Sequence, residues 1–449
     1  MEKYKSYKDL EIEFVDKIPM NWSVSRLKDL GFLQNGISKG KEYFGSGFPF
    51  VSYGNVYNDS IELEKINSLA NSTKEEQKLY SVLEGDIFFT RTSETIDEIG
   101  ISSTSMRTIL KATFSGFVIR LRPKKNIIYK GFAKYFFKGN LNRQFLAKEI
   151  SIVTRASLSQ GTLNNLPVLL PSIKEQTQIA NYLDAKTTAI DKKVTLLQQK
   201  IKHYKTYRKM VINEIVTKGL ENDFSKWVSC RLKDIGYLYS GLSGKSGNDF
   251  NQDDNPNNRG FIPFTNIANN TYLDQNHLGT VVIEEKEKQN QVRKNDIFFL
   301  MSSEGYEDIG KSAVLIEDIE ETYLNSFCKG FRITNKNCEA SFINYLLFSD
   351  SYRQKMLVEG KGFTRINLKM EKVNNFSILI PPTKKEQQQI ADYLDTKTTT
   401  IDKIINNIEA QITMLKELRK ILINEVVTGK VKVTSTSLSH QKASNQPIV

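Results

Sequence analysis

Residues 171–217 recur at 382–428 without a gap. Glu175 matches Glu386, Asp184 matches Asp395 and Asp191 matches Asp402, all at one separation (386 − 175 = 211). A duplication of this length implies a chain built as two similar halves. A two-fold molecule suits a target with two separated parts.

The repeat reaches beyond this segment. Trp22 and Arg26-Leu27-Lys28-Asp29 recur as Trp227 and Arg231-Leu232-Lys233-Asp234, and Gly85-Asp86-Ile87-Phe88-Phe89 recurs as Asn295-Asp296-Ile297-Phe298-Phe299. Ser93-Glu94 with Ile99-Gly100 answers Ser303-Glu304 with Ile309-Gly310. Between these anchors the offset drifts from 205 at the tryptophans (227 − 22) to 210 at the aspartates (296 − 86). Each half is therefore expected to be a shared scaffold carrying unlike loops.

The repeated segment predicts a long helix. Ile179, Leu183, Ile190, Val194, Leu197, Ile201, Tyr204, Val211 and Ile215 fall at heptad spacing. The second copy keeps the stripe as Ile390, Leu394, Ile401, Ile405, Ile408, Ile412, Leu415, Leu422 and Val426. No proline or glycine interrupts either copy, prolines precede each (Pro171; Pro381-Pro382), and glycines follow (Gly219; Gly429). At ~1.5 Å per residue, about 45 residues make a rod of roughly 67 Å. Neither stripe can stay wet, so the two seams are expected to bury against each other, head to tail. The plainer reading is a dimerisation rod, but here each rod follows a globular segment.

Short strand-like runs (86–89, 117–120, 281–283, 378–380) and helical stretches (131–145, 340–356) make each globule mixed. The expected class is α+β: two globular mixed α/β domains separated by two long antiparallel coiled-coil helices, with pseudo-two-fold symmetry. The boundaries are 1–170, 171–220, 221–380 and 381–431, with a serine-, threonine- and glutamine-rich tail over 432–449 expected to be disordered.

Charge and cysteine usage narrow the setting. With 63 basic and 51 acidic residues the chain carries +12, which suits a polyanion. Cys230, Cys328 and Cys338 are too few and too irregular for a disulfide framework. The charged amino terminus has no signal-peptide character, and no apolar run approaches the ~18 residues a membrane span needs, so the cytoplasm is expected.

Catalytic constellations fail one by one. Gly244-Lys245-Ser246 would end a phosphate loop, but the glycine required five residues earlier is Tyr239. Asn255-Pro256-Asn257-Asn258 lacks the second proline and the aromatic of an adenine-methyltransferase turn. Glu284-Glu285-Lys286 has no Pro-Asp partner for a metal-dependent nuclease and is expected on a solvated helix face. His203, His277 and His440 stand apart from one another and from the cysteines. No catalytic residue, metal or cofactor is assigned to this chain.

Polar and basic loop residues are the candidates for contacting DNA. Arg91, Thr92 and Ser93 follow the first repeated strand, with Met301, Ser302 and Ser303 as counterparts. Tyr53 and Asn55, and Thr265 and Asn266, each follow a Pro-Phe pair. Arg155 and Arg365 recur in matching Thr-Arg pairs, and Lys39, Lys41 and Lys245 sit in glycine- and serine-rich loops. Such side chains reach phosphates or base edges. Residues alike in both halves suit phosphate contact or scaffold; those that discriminate unlike half-sites should differ.

A resemblance completes the reading. Leu170-Pro171-Ser172-Ile173-Lys174-Glu175-Gln176, then Ile179-Ala180, Leu183-Asp184, Ile190-Asp191 and Asn213-Glu214, resembles the conserved region of specificity subunits of type I restriction-modification enzymes. The second copy runs from Ile380-Pro381-Pro382 through Glu386-Gln387, Ile390-Ala391, Leu394-Asp395 and Ile401-Asp402 to Asn424-Glu425, and the likeness extends from about residue 22 to about 431. It implies a non-catalytic DNA-binding subunit whose two target-recognition domains each read half of a bipartite sequence in double-stranded DNA. It also implies that the helices, through Ile179 to Ile201 and Ile390 to Ile412, dock two methyltransferase subunits. Restriction-translocase subunits join the assembly, and S-adenosylmethionine, ATP and Mg2+ belong to the partners. The alternatives are a coiled-coil adaptor without sequence-specific DNA contact and a self-sufficient methyltransferase or nuclease.

Overall fold

The computed structural model describes residues 2–434 apart from 13, 96–97, 150–155, 253 and 363–364. It divides into two units, Met1–Leu197 with Ala410–Val449, and Gln198–Glu409.

In the first unit a five-stranded sheet runs in the order Gly31–Asn35, Val118–Pro123, Ile87–Thr90, Ser102–Ser105, Ser60–Ile61. All neighbours are antiparallel except the last pair. The Ile87-Phe88-Phe89 run is apolar throughout because both faces of its strand are covered. Ile87 and Phe89 enter the core that holds Trp22, Phe132 and Phe136, and Phe88 enters a second core with Val51 and Phe114. The second unit repeats the plan with Gly236–Ser240, Cys328–Ile333, Ile297–Leu300 and Ser312–Val314. There Ile297 and Phe299 face one core, and Phe298 and Leu300 the other.

The second residue before each strand explains an oddity of the repeat. Gly85 and Asn295 both have positive φ (85° and 68°), the left-handed region that glycine and asparagine tolerate best. The next residue anchors the sheet. The Asp86 carboxylate accepts from Arg122 Nη2 at 2.6 Å and Nε at 2.8 Å, and the Asp296 carboxylate from Arg332 at 2.7 and 2.9 Å.

The repeated segments form helices of 46 residues (Ile173–Lys218) and 44 residues (Lys384–Val427). Gly219 and Gly429 end them at the same φ of 74°. Only part of each helix belongs to each unit. In the first, Ile179 and Leu183 from the start of the first helix join Leu422, Ile423, Val426 and Val427 from the end of the second in one globular core. In the second unit the roles exchange: Ile390 and Leu394 join Ile212 and Val216.

The shared motif residues join each long helix to its globule. Trp22 Nε1 donates to Glu175 Oε1 at 3.2 Å, as Trp227 Nε1 does to Glu386 Oε1 at 3.1 Å. Gln176 accepts from Tyr129 N and donates to Ile127 O and Pro171 O. Gln387 makes the same three bonds to Glu339 N, Asn337 O and Pro381 O. Asp184 accepts from Tyr135, and Asp395 from Tyr345, both at 2.7 Å.

Two expectations are corrected. The helices foreseen over 131–145 and 340–356 are each broken, into Lys130–Phe136 and Asn140–Glu149, and into Ala340–Phe348 and Asp350–Glu359. Each second piece starts under an asparagine of a long helix: Asn424 Oδ1 accepts from Asn140 N at 3.1 Å, and Asn213 Oδ1 accepts from Ser351 N at 3.0 Å. Glu284-Glu285-Lys286 lies in an exposed turn, not on a helix.

Candidate nucleic-acid interface

In each unit some of the candidates meet at one loop that enters a central sheet strand. In the first unit this is Ser115-Gly116-Phe117. Arg91 N donates to Phe117 O at 3.0 Å, and Arg91 Nη1 reaches Gly116 O at 3.2 Å. Thr92–Ser93 pairs with Ala156–Ser157, and Leu158 N bonds Arg91 O at 2.7 Å. Gly116 N donates to Ile37 O at 2.7 Å, which brings the loop carrying Lys39 and Lys41 alongside. Arg155 lies outside the described residues.

The second unit builds the same junction around Asn325-Ser326-Phe327. Met301 N donates to Phe327 O at 3.2 Å, and Leu368 N to Met301 O at 2.9 Å. Ser302–Ser303 pairs with Ile366–Asn367, and the neighbouring Arg365 guanidinium lies 4.6 Å from the centre of the Phe327 ring. Leu242 N to Leu324 O, at 2.8 Å, ties in the loop that leads to Lys245.

Several candidates have work inside the fold. The buried Asn55 amide accepts from Ser52 N at 2.9 Å and donates to Lys65 O at 2.8 Å. Asn266, fully buried, donates to Asp274 O and His277 O. Both asparagines hold a loop closed. Lys245 Nζ meets Glu287 at 2.5 Å and is largely covered, whereas Lys39 lies 3.3 Å from Glu76 and is half exposed. Ser93 is buried and donates to Glu98 Oε2 at 2.5 Å, and Ser303 is buried as well. Thr265 is exposed beside His277 Nε2 at 3.1 Å. Arg91, Thr92, Tyr53 and Ser302 are half-buried, and Lys41 and Arg365 are exposed.

Tyr53 stands next to an aromatic that sequence reasoning passed over. Tyr57 Oη donates to Tyr53 Oη at 3.2 Å, and burial, the Tyr53 hydroxyl and the Glu98 carboxylate together push the Tyr57 hydroxyl well above the usual tyrosine range. Tyr57 is thus held as a donor beside Tyr53 and Glu98.

Two more residues were missed. Phe117, expected within a strand over 117–120, is 61% exposed, and Phe327, which the sequence reading did not single out, is 45% exposed. The signal was an aromatic recurring at an offset of 210 (327 − 117) directly after turn-forming residues.

The seam residues do not face outward. Ile179, Leu183, Ile390, Leu394, Ile401, Ile405, Ile408 and Ile412 are buried, and Ile190, Val194, Leu197 and Ile201 half-buried. Other apolar side chains of the long helices are exposed, Ile173, Leu196, Tyr207 and Met210 on the first and Tyr393, Met414, Leu418 and Ile421 on the second, and of these Tyr207 and Met210 answer Leu418 and Ile421 at 211 residues (418 − 207; 421 − 210).

Among the described residues no cluster of three or more His, Cys, Asp or Glu side chains could hold a metal, and no helix is long and apolar enough to cross a membrane.

Known proteins resemble the chain over most of its length. The chain is 24% identical to the type I restriction enzyme MjaIX specificity subunit of Methanocaldococcus jannaschii, covering 96% of this chain and 99% of that one. It is 22% identical to the EcoKI specificity subunit of Escherichia coli K12, covering 89% and 88%. Its fold matches a chain of a type I R-M system, solved in work on complex assembly and conformational transition, with a TM-score of 0.71 at 14% identity over 92% and 99% of the two chains. It also matches the HsdS subunit of Thermoanaerobacter tengcongensis, with a TM-score of 0.55 at 14% identity over 92% and 98%. The type I restriction modification DNA specificity domain matches twice, over residues 19–203 and 225–414, and the chain therefore belongs to the family of type I restriction-modification specificity subunits.

Proposed function

We propose that each unit reads one half of a bipartite target in double-stranded DNA through the junction built on its central sheet. The carrying observation is the pairing of sameness and difference at that junction. The sheet, the anchoring aspartates and the exposed phenylalanines recur, while Arg91 has Met301 as its counterpart in the repeat and the flanking loops diverge. An arginine bidentate to guanine discriminates by ~1–3 kcal/mol, a contact that methionine cannot make. Unlike residues on like scaffolds suit unlike half-sites.

Catalysis belongs to the partner subunits, and this chain supplies the address. Two methyltransferase subunits dock through the exposed apolar positions of the long helices, one at Tyr207 and Met210 and one at Leu418 and Ile421, because the duplication offers the same footprint twice. Restriction-translocase subunits complete the assembly. S-adenosylmethionine, ATP and Mg2+ are held by the partners, and the complex acts in the cytoplasm.

Replacing residues 221–380 with the matching segment of a relative tests the modular reading. Methylome sequencing of a strain carrying the chimera is expected to show one altered half-site and one unchanged. Alteration of both, or of neither, would refute it. Sequence-blind, salt-sensitive binding by the whole complex would favour an adaptor instead.

A further inference from the structure

Phe117 and Phe327 are large apolar side chains held out into solvent by matching turns. Phe117 N donates to Ser115 Oγ at 3.2 Å, and Phe327 N to Asn325 Oδ1 at 2.9 Å. In each loop the next residue closes a second bond, Val118 N to Ser115 O at 2.9 Å and Cys328 N to Asn325 O at 3.0 Å. Serine in one half and asparagine in the other thus build one device, whose product is an aromatic ring beyond the end of a sheet strand.

An arginine stands beside each loop, and the one in the second unit also lies 3.8 Å from Glu304. The Arg365 guanidinium lies over the Phe327 ring, and Arg91 is bonded to the backbone that carries Phe117. A phenyl group has no donor or acceptor, so it cannot distinguish base edges by hydrogen bonding. A planar apolar group beside an arginine can instead press into a base step while the arginine meets phosphate. Its presence in both halves, where neighbouring residues differ, fits a mechanical task common to the two half-sites.

We infer that Phe117 and Phe327 act as wedges that unstack one base step in each half of the DNA target. This rests on the proposed reading of one half-site per unit, and it adds that recognition distorts the duplex at the two junctions. Unstacking also lowers the cost of extruding a neighbouring base, which a base-methylating partner must do.

The test uses the full chain assembled with its partner subunits on a duplex containing the methylated target. Permanganate reactivity of thymines reports unstacking, and titration reports affinity. The wild-type complex is expected to expose thymines in both half-sites. Phe117→Ala is expected to protect those of one half-site, Phe327→Ala those of the other, each with affinity about 10-fold weaker, while Phe117→Trp keeps the reactivity. Unchanged melting temperatures are expected, because the rings are exposed. Alanine variants with wild-type reactivity and affinity would overturn the proposal. Loss of subunit assembly with unchanged permanganate pattern would assign the rings to a protein contact and overturn it too. A wild-type complex that binds target and scrambled duplexes alike would remove the reading beneath it.

Discussion

Arg208 and Asp402 lie on different long helices and are joined, Nε to Oδ1, at 3.1 Å. Their repeat partners, Arg419 and Asp191, are joined at the same 3.1 Å with the helices exchanged. One arginine–aspartate contact is thus used twice within a single chain, as a two-fold interface uses it between chains. The aspartates are about half exposed, so the pairs are worth little individually. A double-mutant cycle on Arg208→Ala and Asp402→Ala is expected to give a coupling of about 0.5–1 kcal/mol in denaturant titrations, shrinking with added salt. Additive effects at low salt would show that the pair does not couple the helices.

Asp59 makes the first unit different. It accepts from Lys138 Nζ at 2.8 Å and Arg419 Nη2 at 3.0 Å. Burial works against its ionised form, but Lys138 and Arg419 outweigh it and hold the carboxyl below the usual range. A carboxyl depressed on folding stabilises above its unfolded value of about 3.9, and the contribution fades as the pH falls through the folded value. Asp59→Asn is therefore expected to lower the melting temperature at pH 7 and to converge on wild type in acid. A constant difference at all pH values would contradict the linkage.

Asn424→Ala and Asn213→Ala remove the acceptors over Asn140 and Ser351. Each is expected to cost about 1 kcal/mol, as the loss of a helix cap does. Amide hydrogen exchange should rise in Asn140–Glu149 for one variant and in Asp350–Glu359 for the other. A rise in the helix of the opposite unit would argue against the assignment.

Asp296→Ala should be far more damaging. The buried carboxylate also accepts from Tyr239 Oη at 2.6 Å and Arg293 N at 2.8 Å, and its removal strands Arg332. A loss of about 3–5 kcal/mol is expected by chemical denaturation, and Asp86→Ala should behave alike through Arg122. A loss below 1 kcal/mol would show that Arg332 finds another partner.

The long helices were legible because a heptad stripe with no glycine or proline admits one interpretation. The Ile87 and Ile297 strands were legible because an unbroken apolar run bounded by turn residues must be covered on both faces. The helix breaks at Gly139 and Ser349 were not, since their cause includes side chains that follow from contacts distant in the chain, such as Asn424 with Asn140, 284 residues away. Asn55 and Asn266 looked like base readers because composition cannot tell an amide that points outward from one that closes its own loop. Phe117 and Phe327 escaped notice for the converse reason: hydrophobic patterning assigns an aromatic to the interior unless turn geometry is known.

The core around Phe136 includes Leu422, Ile423, Val426 and Val427 from the end of the second long helix. A ribosome therefore releases Phe136 nearly three hundred residues before the side chains that finish its core exist (422 − 136 = 286). Until then that apolar surface is open to chaperones and to misassembly, so the earliest-made part of this protein is among the last to mature.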